Sequence, residues 1–600
     1  MRRLAGVSPV TAASRALAVA ALVALVGLLP WLSGNDPALT ILRATSAERE
    51  ATPEVLAAIR ERLGLDQGPV GTIGHWLAGL ARGDLGTSWI SGDPVGTGTL
   101  EAFGVSLTLM GAALGVGLVT AVLLAAPTLR DALTGRRRAR GGAVAAALTS
   151  LPEYLLAPVL LLLMSVYAGW LPPYGWGDLS RLVLPALSLG LPAGGLLGGL
   201  VSDAVSAVAA EKWVASWATA GVRGLPLALA VLRRALTPLT GQVALVVVGL
   251  TGGAVAVEKV FAVPGLGRAL LGSATAQDVP ALQAGVILLL ALALGAGALA
   301  ALTRRILLGR ADGTGGIAAA PAVGHSGRGA RAVALGGALT LTALVLAGHG
   351  RDPYGVVAGR LEAPSAALPL GADALGRDVL ARVAHGAVST MIAALAVTAV
   401  CLLIGIVLGL APRASTGPVE VANAAPPVLA GLMVAAVTGP SALGAALAVA
   451  CVGWAPLAAH AAALVQEARE RPDITIAPVL GEGPVRVTLT RVLPAVVGPL
   501  VRHAALRLPG IALALAGLGF LGLGRPGTHP RVGARAGRGP ALHRARPLGR
   551  GHARRRPRPA ERDGGGRLAG GARLSRRAGG SPACRWITYL PTDHLCRELR

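Results

Sequence analysis

The chain has 600 residues, of which 53% are hydrophobic and only 14% are charged, and its mean hydropathy is +0.63. A soluble protein has about a quarter of its residues charged, so this composition excludes a string of soluble domains. Four cysteines in 600 residues exclude a disulfide scaffold. The net charge is +25, and residues 525–600 supply +15 of it through 19 arginines and four acidic residues. We predict an all-α polytopic membrane protein.

Apolar segments long enough to cross a bilayer recur along the chain, since a crossing helix needs about 20 apolar residues. The first of them follows Arg2, Arg3 and Arg15 and could pass for a signal peptide. Because it lacks a small-x-small cleavage site, we interpret it as a retained signal-anchor. The first six spans are predicted at 16–33, 104–127, 143–169, 181–208, 241–261 and 281–303.

Arginines in the connecting loops predict the orientation, because loops rich in Lys and Arg stay in the cytoplasm. The N terminus and the stretches 130–140, 209–240 and 304–331 are all basic. Counting crossings from a cytoplasmic N terminus places every one of them inside. Segment 34–100 then lies outside, where we expect a short amphipathic helix. That helix is predicted to start with Thr52 as N-cap and Pro53 at its first position and to stop at Gly64.

A stretch rich in Gly and Ala divides the chain into two halves. We predict that residues 311–330 form a flexible cytoplasmic linker. It separates a first half, residues 1–310, from a second half, residues 331–524. The second half is expected to contribute five spans, so that the chain has about six and then five. These five spans are predicted at 332–348, 387–411, 419–439, 441–464 and 495–519.

Two long cytoplasmic loops, 209–240 and 466–494, share one pattern. Each has a short helical stretch, a glycine in its middle, and a second stretch that ends in basic residues and proline. A glycine there allows a sharp bend with positive φ, and a short helix lying across the membrane face can dock into a groove of a partner. The alternative is an ordinary loop that leads into the next helix. The residues that we assign to docking are Ala220, Gly221, Arg223 and Pro238 in the first loop, and Ala477, Gly481, Arg486 and Pro494 in the second.

No motif for nucleotide hydrolysis or for common enzyme chemistry is present in the sequence. The two lysines, Lys212 and Lys259, lie in Glu-Lys-Trp and Glu-Lys-Val, so there is no GxxxxGK[ST] phosphate-binding loop. The motifs HExxH, GxSxG and CxxC are also missing. We therefore predict no cofactor, no metal site and no ATP hydrolysis by this chain alone.

Four further segments carry long motifs. Residues 36–89 lie in the outer segment, and 257–271 read VEKVFAVPGLGRALL. Residues 352–387 contain LGADALGRDVLAR, and 514–524 read ALAGLGFLGLG. With the two loops, which resemble EAA coupling loops, these segments resemble the permeases of binding-protein-dependent ABC importers of the dipeptide, oligopeptide and nickel family. The first two segments resemble the first permease subunit and the last two the second, as if both were fused head to tail over about residues 1–526.

The resemblance implies a multi-pass protein of the bacterial plasma membrane that works by alternating access and is not itself an enzyme. It implies two ABC ATPase subunits that grip the loops around Gly221 and Gly481, an extracytoplasmic substrate-binding protein, the lipid bilayer, and no nucleic acid as partners. Peptides, nickel or a metal chelate fit the family as cargo. The ionisable residues Glu153, Asp203 and Glu258 are either candidates for the transport pathway or groups that cap helix ends.

The sequence departs from the family at both loops. Pro478 interrupts the second loop, where the family has an uninterrupted helix, so we expect a shorter second docking helix. Trp213 and Trp217 lie near the small-residue positions of the first loop, which is also atypical of the family.

The tail, 525–600, departs further, because the family continues with a P-x-W-G segment and one more span. The tail has no apolar stretch of span length, and eleven crossings would leave its arginines outside. We interpret it as the product of a reading-frame shift near Arg525 to Pro530 that removed the final helix.

Three alternatives remain open from the sequence. A secondary transporter with six-plus-six topology would need discontinuous helices and ionisable residues at corresponding positions of both halves. An enzyme embedded in the membrane is disfavoured because no nucleophile–base pair or metal-ligand cluster is visible. The third alternative is a truncated permease without function.

Overall fold

The computed structural model describes residues 9–32, 38–39, 41–42, 51–62, 68–134, 142–308, 328–424 and 427–524. These residues are mostly helical, and the β-structure among them is confined to three isolated bridges. Nine helical stretches in this part of the chain are long and apolar enough to cross a membrane, or up to eleven crossings if each of two bent pairs counts as one. The prediction of an all-α polytopic membrane protein is confirmed. The tail 525–600 and nearly all of the predicted linker lie outside the described residues.

The first half begins with one apolar helix, continues with short helices of the outer segment, and then crosses repeatedly. Leu161–Tyr167 continues the helix Glu153–Leu160 as a π-helix. Thr237–Leu239 joins the helix Leu225–Leu236 to the helix Thr240–Phe261 as a 3₁₀ turn. The helices of this half are α1 (Pro9–Gly27), α2 (Leu29–Leu32), α3 (Pro53–Arg62), α4 (Gly68–Ala81), α5 (Val95–Leu133), α6 (Gly142–Thr149), α7 (Glu153–Leu160), α8 (Leu179–Ala209), α9 (Lys212–Thr219), α10 (Leu225–Leu236), α11 (Thr240–Phe261), α12 (Leu266–Ala276) and α13 (Val279–Leu308).

The second half begins with an apolar helix and an irregular outer segment, and its last described helix ends at Leu521. The π-helical turn Thr488–Val492 joins the helix Pro484–Val487 to the helix Leu493–Leu521. The helices of this half are α14 (Arg328–His349), α15 (Val379–Gly409), α16 (Pro412–Ala424), α17 (Pro427–Thr438), α18 (Ala442–Gly453), α19 (Ala455–Arg469), α20 (Pro472–Thr475), α21 (Pro484–Val487) and α22 (Leu493–Leu521).

The predicted spans coincide with these helices, but three of them need correction. The first, predicted at 16–33, begins at Pro9 and ends at Gly27, because proline suits the first turn of a helix. The spans predicted at 143–169 and 419–439 are broken instead of straight, with bends of 90° and 83°. A proline stands at the start of each second segment, Pro152 before α7 and Pro427 in α17, and proline disfavours a helical residue before it.

The predicted helix of the outer segment is confirmed. It spans Pro53–Arg62, and the Thr52 hydroxyl lies 3.5 Å from the backbone nitrogen of Val55, in the position of an N-cap. The predicted stop, Gly64, lies outside the described residues.

The two halves repeat one order of elements. Counted by apolar spans, the third span of each half is the bent pair, α6 with α7 and α16 with α17. The fourth span, α8 or α18–α19, leads into the loop with the central glycine, and the fifth continues from that loop. In both halves the second span packs along the fourth, α5 on α8 and α15 on α19.

Glycines bring the second and fourth spans close together in each half. A Cβ added at Gly194 of α8 would lie 2.7 Å from the carbonyl oxygen of Gly117 in α5, and one at Gly405 of α15 would lie 2.9 Å from the Cβ of Leu457 in α19. Only a residue without a side chain permits such an approach, and small residues at helix contacts are the usual means of packing inside a membrane.

The two halves share one hydrophobic core. Fully buried Leu266 and Leu270 from the first half belong to the same cluster as Leu432 and Leu518 from the second. Polar contacts also join the halves where α11 ends, since Lys259 Nζ donates to the carbonyl oxygen of Leu521 over 3.1 Å. The halves are therefore packed as one body over the described residues, not as two separate bundles.

The first helix crosses over to the second half. In α1, Arg15 forms a two-point ion pair with Glu420 of α16, over 2.8 and 2.6 Å. Ser14 Oγ donates to the carbonyl oxygen of Ala414 over 2.5 Å and accepts from the backbone N–H of Gly417 over 3.1 Å. This helix is thus an integral part of the interface between the halves.

Candidate functional site: two loops with a glycine hinge

The first loop is a helix pair hinged at a glycine. Gly221 has φ of +89° and follows α9. The N–H of Val222 donates to the carbonyl oxygen of Trp217 over 3.0 Å, and the N–H of Gly221 donates to that of Ala218 over 3.2 Å. This pair of bonds is the Schellman motif, in which a left-handed glycine ends a helix and turns the chain. The hinge sends the chain from α9 into α10.

A partly buried ion pair and an apolar cluster fix this loop to the end of α8. Arg234 of α10 donates to Glu211 over 3.3 and 3.4 Å, and Trp213 Nε1 donates to the same carboxylate over 2.6 Å. Both partners of the ion pair are about one quarter exposed, at 24% and 27%. The buried side chains beneath are Val205, Val208, Val214, Leu227, Val231 and Ala235. The ion pair and the apolar cluster therefore hold the loop rigidly between the two spans that it connects.

The second loop has the same hinge. Gly481 has φ of +82°. The N–H of Glu482 donates to the carbonyl oxygen of Ala477 and the N–H of Gly481 to that of Pro478, each over 3.1 Å. These are the two bonds of the first hinge, at the same positions relative to the glycine. Seven residues before each glycine lies a buried aliphatic side chain, Val214 in one loop and Ile474 in the other.

An ion pair also closes the second loop. Arg491 Nε donates to Glu482 over 3.0 Å, and Arg491 Nη1 donates to the carbonyl oxygen of Asp473 over 3.0 Å. The buried side chains beneath are Val465, Ala468, Ile474, Ala477, Val487, Val492 and Val496. In each loop, then, an arginine of the second helical segment holds the first segment in place.

The second docking helix is shorter than the first, as the position of Pro478 predicts. The helix before the second hinge, α20, has four residues, whereas α9 has eight. Proline removes a backbone donor and clashes with the preceding turn, so the chain between Ile476 and Gly481 forms overlapping turns instead.

The structure separates the assigned loop residues into two groups. Ala477 is fully buried in the cluster of the second loop, so it supports the loop from inside. The other assigned residues lie on the loop surface, at or beside the hinges and at the entries to the fifth spans: Ala220, Gly221, Arg223, Pro238, Gly481, Arg486 and Pro494. The ion pairs Glu211–Arg234 and Glu482–Arg491 were not predicted from the sequence, although each loop contains a glutamate that is followed by the arginine of opposite charge.

Both loops expose large apolar side chains. In the first, the side chains of Trp217 and Leu225 are 43% and 70% exposed. In the second, those of Val479 and Leu480 are 82% and 68% exposed, next to the hinge. Apolar side chains at the tips of loops that leave the membrane are typical of surfaces that bind another protein.

The three ionisable residues considered for the pathway lie in different surroundings. Glu258 is fully buried and accepts from Ser106 Oγ over 2.5 Å and from the N–H of Arg268 over 2.8 Å. It thereby holds α12 to α11 and α5. Asp203 is on an exposed face of α8, and Glu153 lines a cavity.

The outer segment before α15 is held by Asp373, a residue of the LGADALGRDVLAR motif. Asp373 accepts from the N–H groups of Leu375 and Arg377 over 2.8 and 3.0 Å, and it pairs with the guanidinium groups of Arg377 and Arg382. The N–H of Arg377, with the other donors, holds the pKa of Asp373 well below its usual range. The motif residues with charge are therefore structural: they fix the entry to α15.

Comparison with known proteins decides the family. Residues 113–311 match the family model described as the binding-protein-dependent transport system inner membrane component. The glutathione transport system permease protein GsiC of Salmonella typhimurium is 33% identical over 292 residues, which cover 48% of this chain and 90% of that protein. The chain belongs to the family of binding-protein-dependent transport system inner membrane components.

Two further relatives agree with this result. The GsiC protein of Pectobacterium atrosepticum is 33% identical over 267 residues, which cover 44% of this chain and 85% of that protein. A Brucella abortus protein named for peptide transport is 31% identical over 292 residues, which cover 46% of this chain and 89% of that protein.

Membership of the family makes the chain a multi-pass transport permease of the bacterial plasma membrane. The broken spans at corresponding positions of both halves are a feature that a secondary transporter would also need. The family match, over a region that contains the first hinged loop, decides against that alternative and against an enzyme embedded in the membrane.

Among the described residues, no group of three or more His, Cys, Asp or Glu side chains could hold a metal ion. Each of the two loops is continuous with the membrane span that follows it.

Proposed function

We propose that this chain unites both permease subunits of one ATP-driven peptide importer. The first subunit corresponds to residues 1–310, the second to 331–524, and 311–330 joins them. The proposal is supported by the order of elements, which repeats the bent third span and the hinged loop in both halves. The observation that carries it is the pair of matching Schellman hinges at Gly221 and Gly481.

Two ABC ATPase subunits are the partners that this arrangement suits, one for each loop. A partner that grips a rigid helix pair can transmit its own motion, because the loop does not yield. The exposed apolar side chains beside the hinges, among them Trp217 and Val479, supply contact area. ATP binding and hydrolysis occur in these partners, which agrees with a chain without a phosphate-binding loop.

Movement of a loop would reach the membrane through the fifth span of its half. The first loop continues through α10 into α11, and the second through α21 into α22. Both helices meet the shared core, and they touch where Lys259 donates to the backbone of α22. A rigid tilt of one half against the other is the kind of change that alternating access requires.

Peptides are the proposed cargo, because the relatives are named for glutathione and peptide transport. An extracytoplasmic binding protein would deliver the peptide to the outer face. The outer segment fixed by Asp373 offers that protein a firm surface, since the ion pairs with Arg377 and Arg382 order it.

The experiment that tests the proposal is co-purification of the chain with the ABC ATPases of its source bacterium, followed by native mass measurement. We expect two ATPase subunits for each chain. A complex with a single ATPase, or no complex with any of them, contradicts the proposal that one chain contains both docking loops.

For residues 525–600 we propose a shift of the reading frame near Arg525 to Pro530. Translating the gene in the two other frames over this region tests the idea. An apolar span introduced by a P-x-W-G sequence in one of those frames is expected, and its absence from both contradicts the proposal.

A further inference from the structure

A cavity inside the first half contains a carboxylate without a partner. The cavity has a volume of about 300 Å³ and lies between α7, α8 and α11, at the break of the third span. Glu153, the first residue of α7, lines it together with Thr149 and Gln242. Leu196 and Leu245 at its edge are 40% and 48% exposed, so the cavity is open on one side.

The carboxylate in this cavity has no cationic partner. Among the described residues, the Glu153 carboxylate accepts only from its own backbone N–H, and no Lys or Arg lines the cavity. The hydroxyl hydrogen of Thr149 is used, because Thr149 donates to the carbonyl oxygen of Ala145 over 2.7 Å. The acceptors that remain are the carboxylate, the Thr149 hydroxyl oxygen and the side-chain carbonyl oxygen of Gln242, and an ammonium group has three donors and no acceptor.

The bend itself does not require a carboxylate at this place. The corresponding break in the second half is followed by Pro427, Val428 and Leu429, without any ionisable group, and that span is bent by nearly the same angle. A carboxylate inside a membrane without a partner is costly. Its presence at one break and not at the other indicates a role beyond the bend.

The cavity also lies beside the contact between the two halves. Tyr154, next to Glu153, packs against Phe520 of α22 in a tilted arrangement with ring centroids 5.6 Å apart, so Glu153 is one residue from this contact. The opposite wall is α11, and a Cβ added at Gly253 would lie 2.7 Å from Glu153 Oε1. Since α11 continues from the first hinged loop, movement of that loop would change the shape of the cavity.

We propose that Glu153 binds the ammonium group of the cargo during its passage through the first half. The proposal rests on the proposed function as a peptide importer and names the part of the peptide that this half recognises, its free amino end. A volume of about 300 Å³ suits the end of a peptide and not a whole folded ligand.

Protection from a carbodiimide tests the site directly. The full chain in lipid nanodiscs is treated with dicyclohexylcarbodiimide, which modifies carboxyl groups in apolar surroundings, and labelling of Glu153 is followed by mass spectrometry. We expect trialanine to slow this labelling at least about threefold and N-acetyl-trialanine to leave it unchanged. Equal protection by both peptides, protection by neither, or no labelling of Glu153 overturns the proposal.

Transport by the complete system gives a second readout. We expect Glu153→Gln to lower trialanine uptake about tenfold, a loss close to that of one charged contact, and Glu153→Asp to retain more uptake than Glu153→Gln. Glu101→Gln, at an exposed position of α5, serves as the matched control and should not change uptake. Uptake at the wild-type rate by Glu153→Gln overturns the proposal. If the unmodified system takes up no peptide, the proposed function fails, and the labelling experiment alone still decides whether Glu153 binds an ammonium group.

Discussion

Gly221 has a backbone conformation that a side chain would strain. Its φ of +89° costs a non-glycine residue about 1 kcal/mol, and nothing lies within 4 Å of an added Cβ. A leucine there would thus project from the surface of the first loop without disturbing the core. We predict that Gly221→Leu lowers uptake at least about tenfold while the amount of chain in the membrane stays normal, measured by peptide uptake and immunoblotting.

Asparagine is the control at this position, since it tolerates the left-handed conformation better than other residues with side chains. Gly221→Asn should keep more uptake than Gly221→Leu. Normal transport by Gly221→Leu would show that the hinge does not couple the chain to its partners.

Asp373 makes stability depend on pH in a defined direction. Its pKa in the folded chain lies below its ordinary value of about 3.9, so the ionised carboxylate stabilises the fold fully above that pH and loses this effect as the pH falls further. We predict that Asp373→Asn lowers the melting temperature in detergent by the same amount between pH 7 and about pH 5, with a smaller difference below about pH 4.

Asp352→Asn is the comparison, because Asp352 accepts a single N–H, that of Tyr354. It should lower the melting temperature less than Asp373→Asn does. A difference for Asp373→Asn that grows as the medium becomes acidic would contradict the assigned role.

At the scale of residues, backbone features that depend on neighbouring residues could be predicted from the sequence. Contacts between side chains that are far apart in the chain could not. The glycine hinges were predictable because a glycine between two helical stretches has few other uses. The contact between Glu211 and Arg234 was not, because it joins residues on opposite sides of a hinge whose angle the sequence does not specify. For the same reason, the unpartnered state of Glu153 became apparent only once the neighbouring helices were in place.

At the scale of elements, the helix α12 depends on one buried carboxylate. Glu258 joins it to α5 and α11 through Ser106 and the N–H of Arg268. Glu258→Ala would leave both donors unpaired and a cavity beside them, so we predict a loss of roughly 2–4 kcal/mol in stability, measured by thermal unfolding in detergent. Glu101→Ala, at an exposed position, should cost far less, and equal losses would contradict this role of Glu258.

The second loop permits a test of docking by its exposed side chains. Val479 and Leu480 have few contacts within the chain, so the double change Val479→Asp with Leu480→Asp should leave the fold intact. We predict that it weakens association with the ATPases by about tenfold or more, because charge replaces apolar contact area, measured by binding of purified subunits.

Val357→Asp is the control for that change. Its side chain is 59% exposed but lies in the outer segment, on the other side of the predicted topology. A double variant that binds the ATPases as tightly as the unmodified chain would exclude this surface from the docking interface.

The existence of the spans followed from hydropathy, whereas their shape did not. Hydropathy averaged over about 20 residues does not change at a sharp bend. The breaks after Thr149 and before Pro427 lie inside apolar stretches and therefore could not be detected in this way. The prolines beside them were visible, but membrane helices often contain proline without breaking. The shortening of α20 was predictable, because Pro478 follows it closely and proline prevents the helix from continuing through that position.

At the scale of the whole molecule, the sequence indicated two similar halves but not how they meet. The crossing of α1 to α16 through Arg15 and Glu420 joins residues 405 positions apart, and no local pattern specifies such a contact. The shared core likewise assembles from ordinary leucines, including Leu266 and Leu518. Packing between helices inside a membrane depends on small residues and on the shapes of the helix surfaces. The fit between two such surfaces can be judged only from the three-dimensional structure.

On the proposed function, the chain is a passive gate that ATPases move. Peptide uptake into proteoliposomes that contain the purified chain, with and without the two ATPases and the binding protein, tests this role. We predict that uptake requires ATP and both partners and that the chain alone hydrolyses no ATP. ATP hydrolysis by the chain alone, or uptake driven by an ion gradient in the absence of the ATPases, would contradict a passive role.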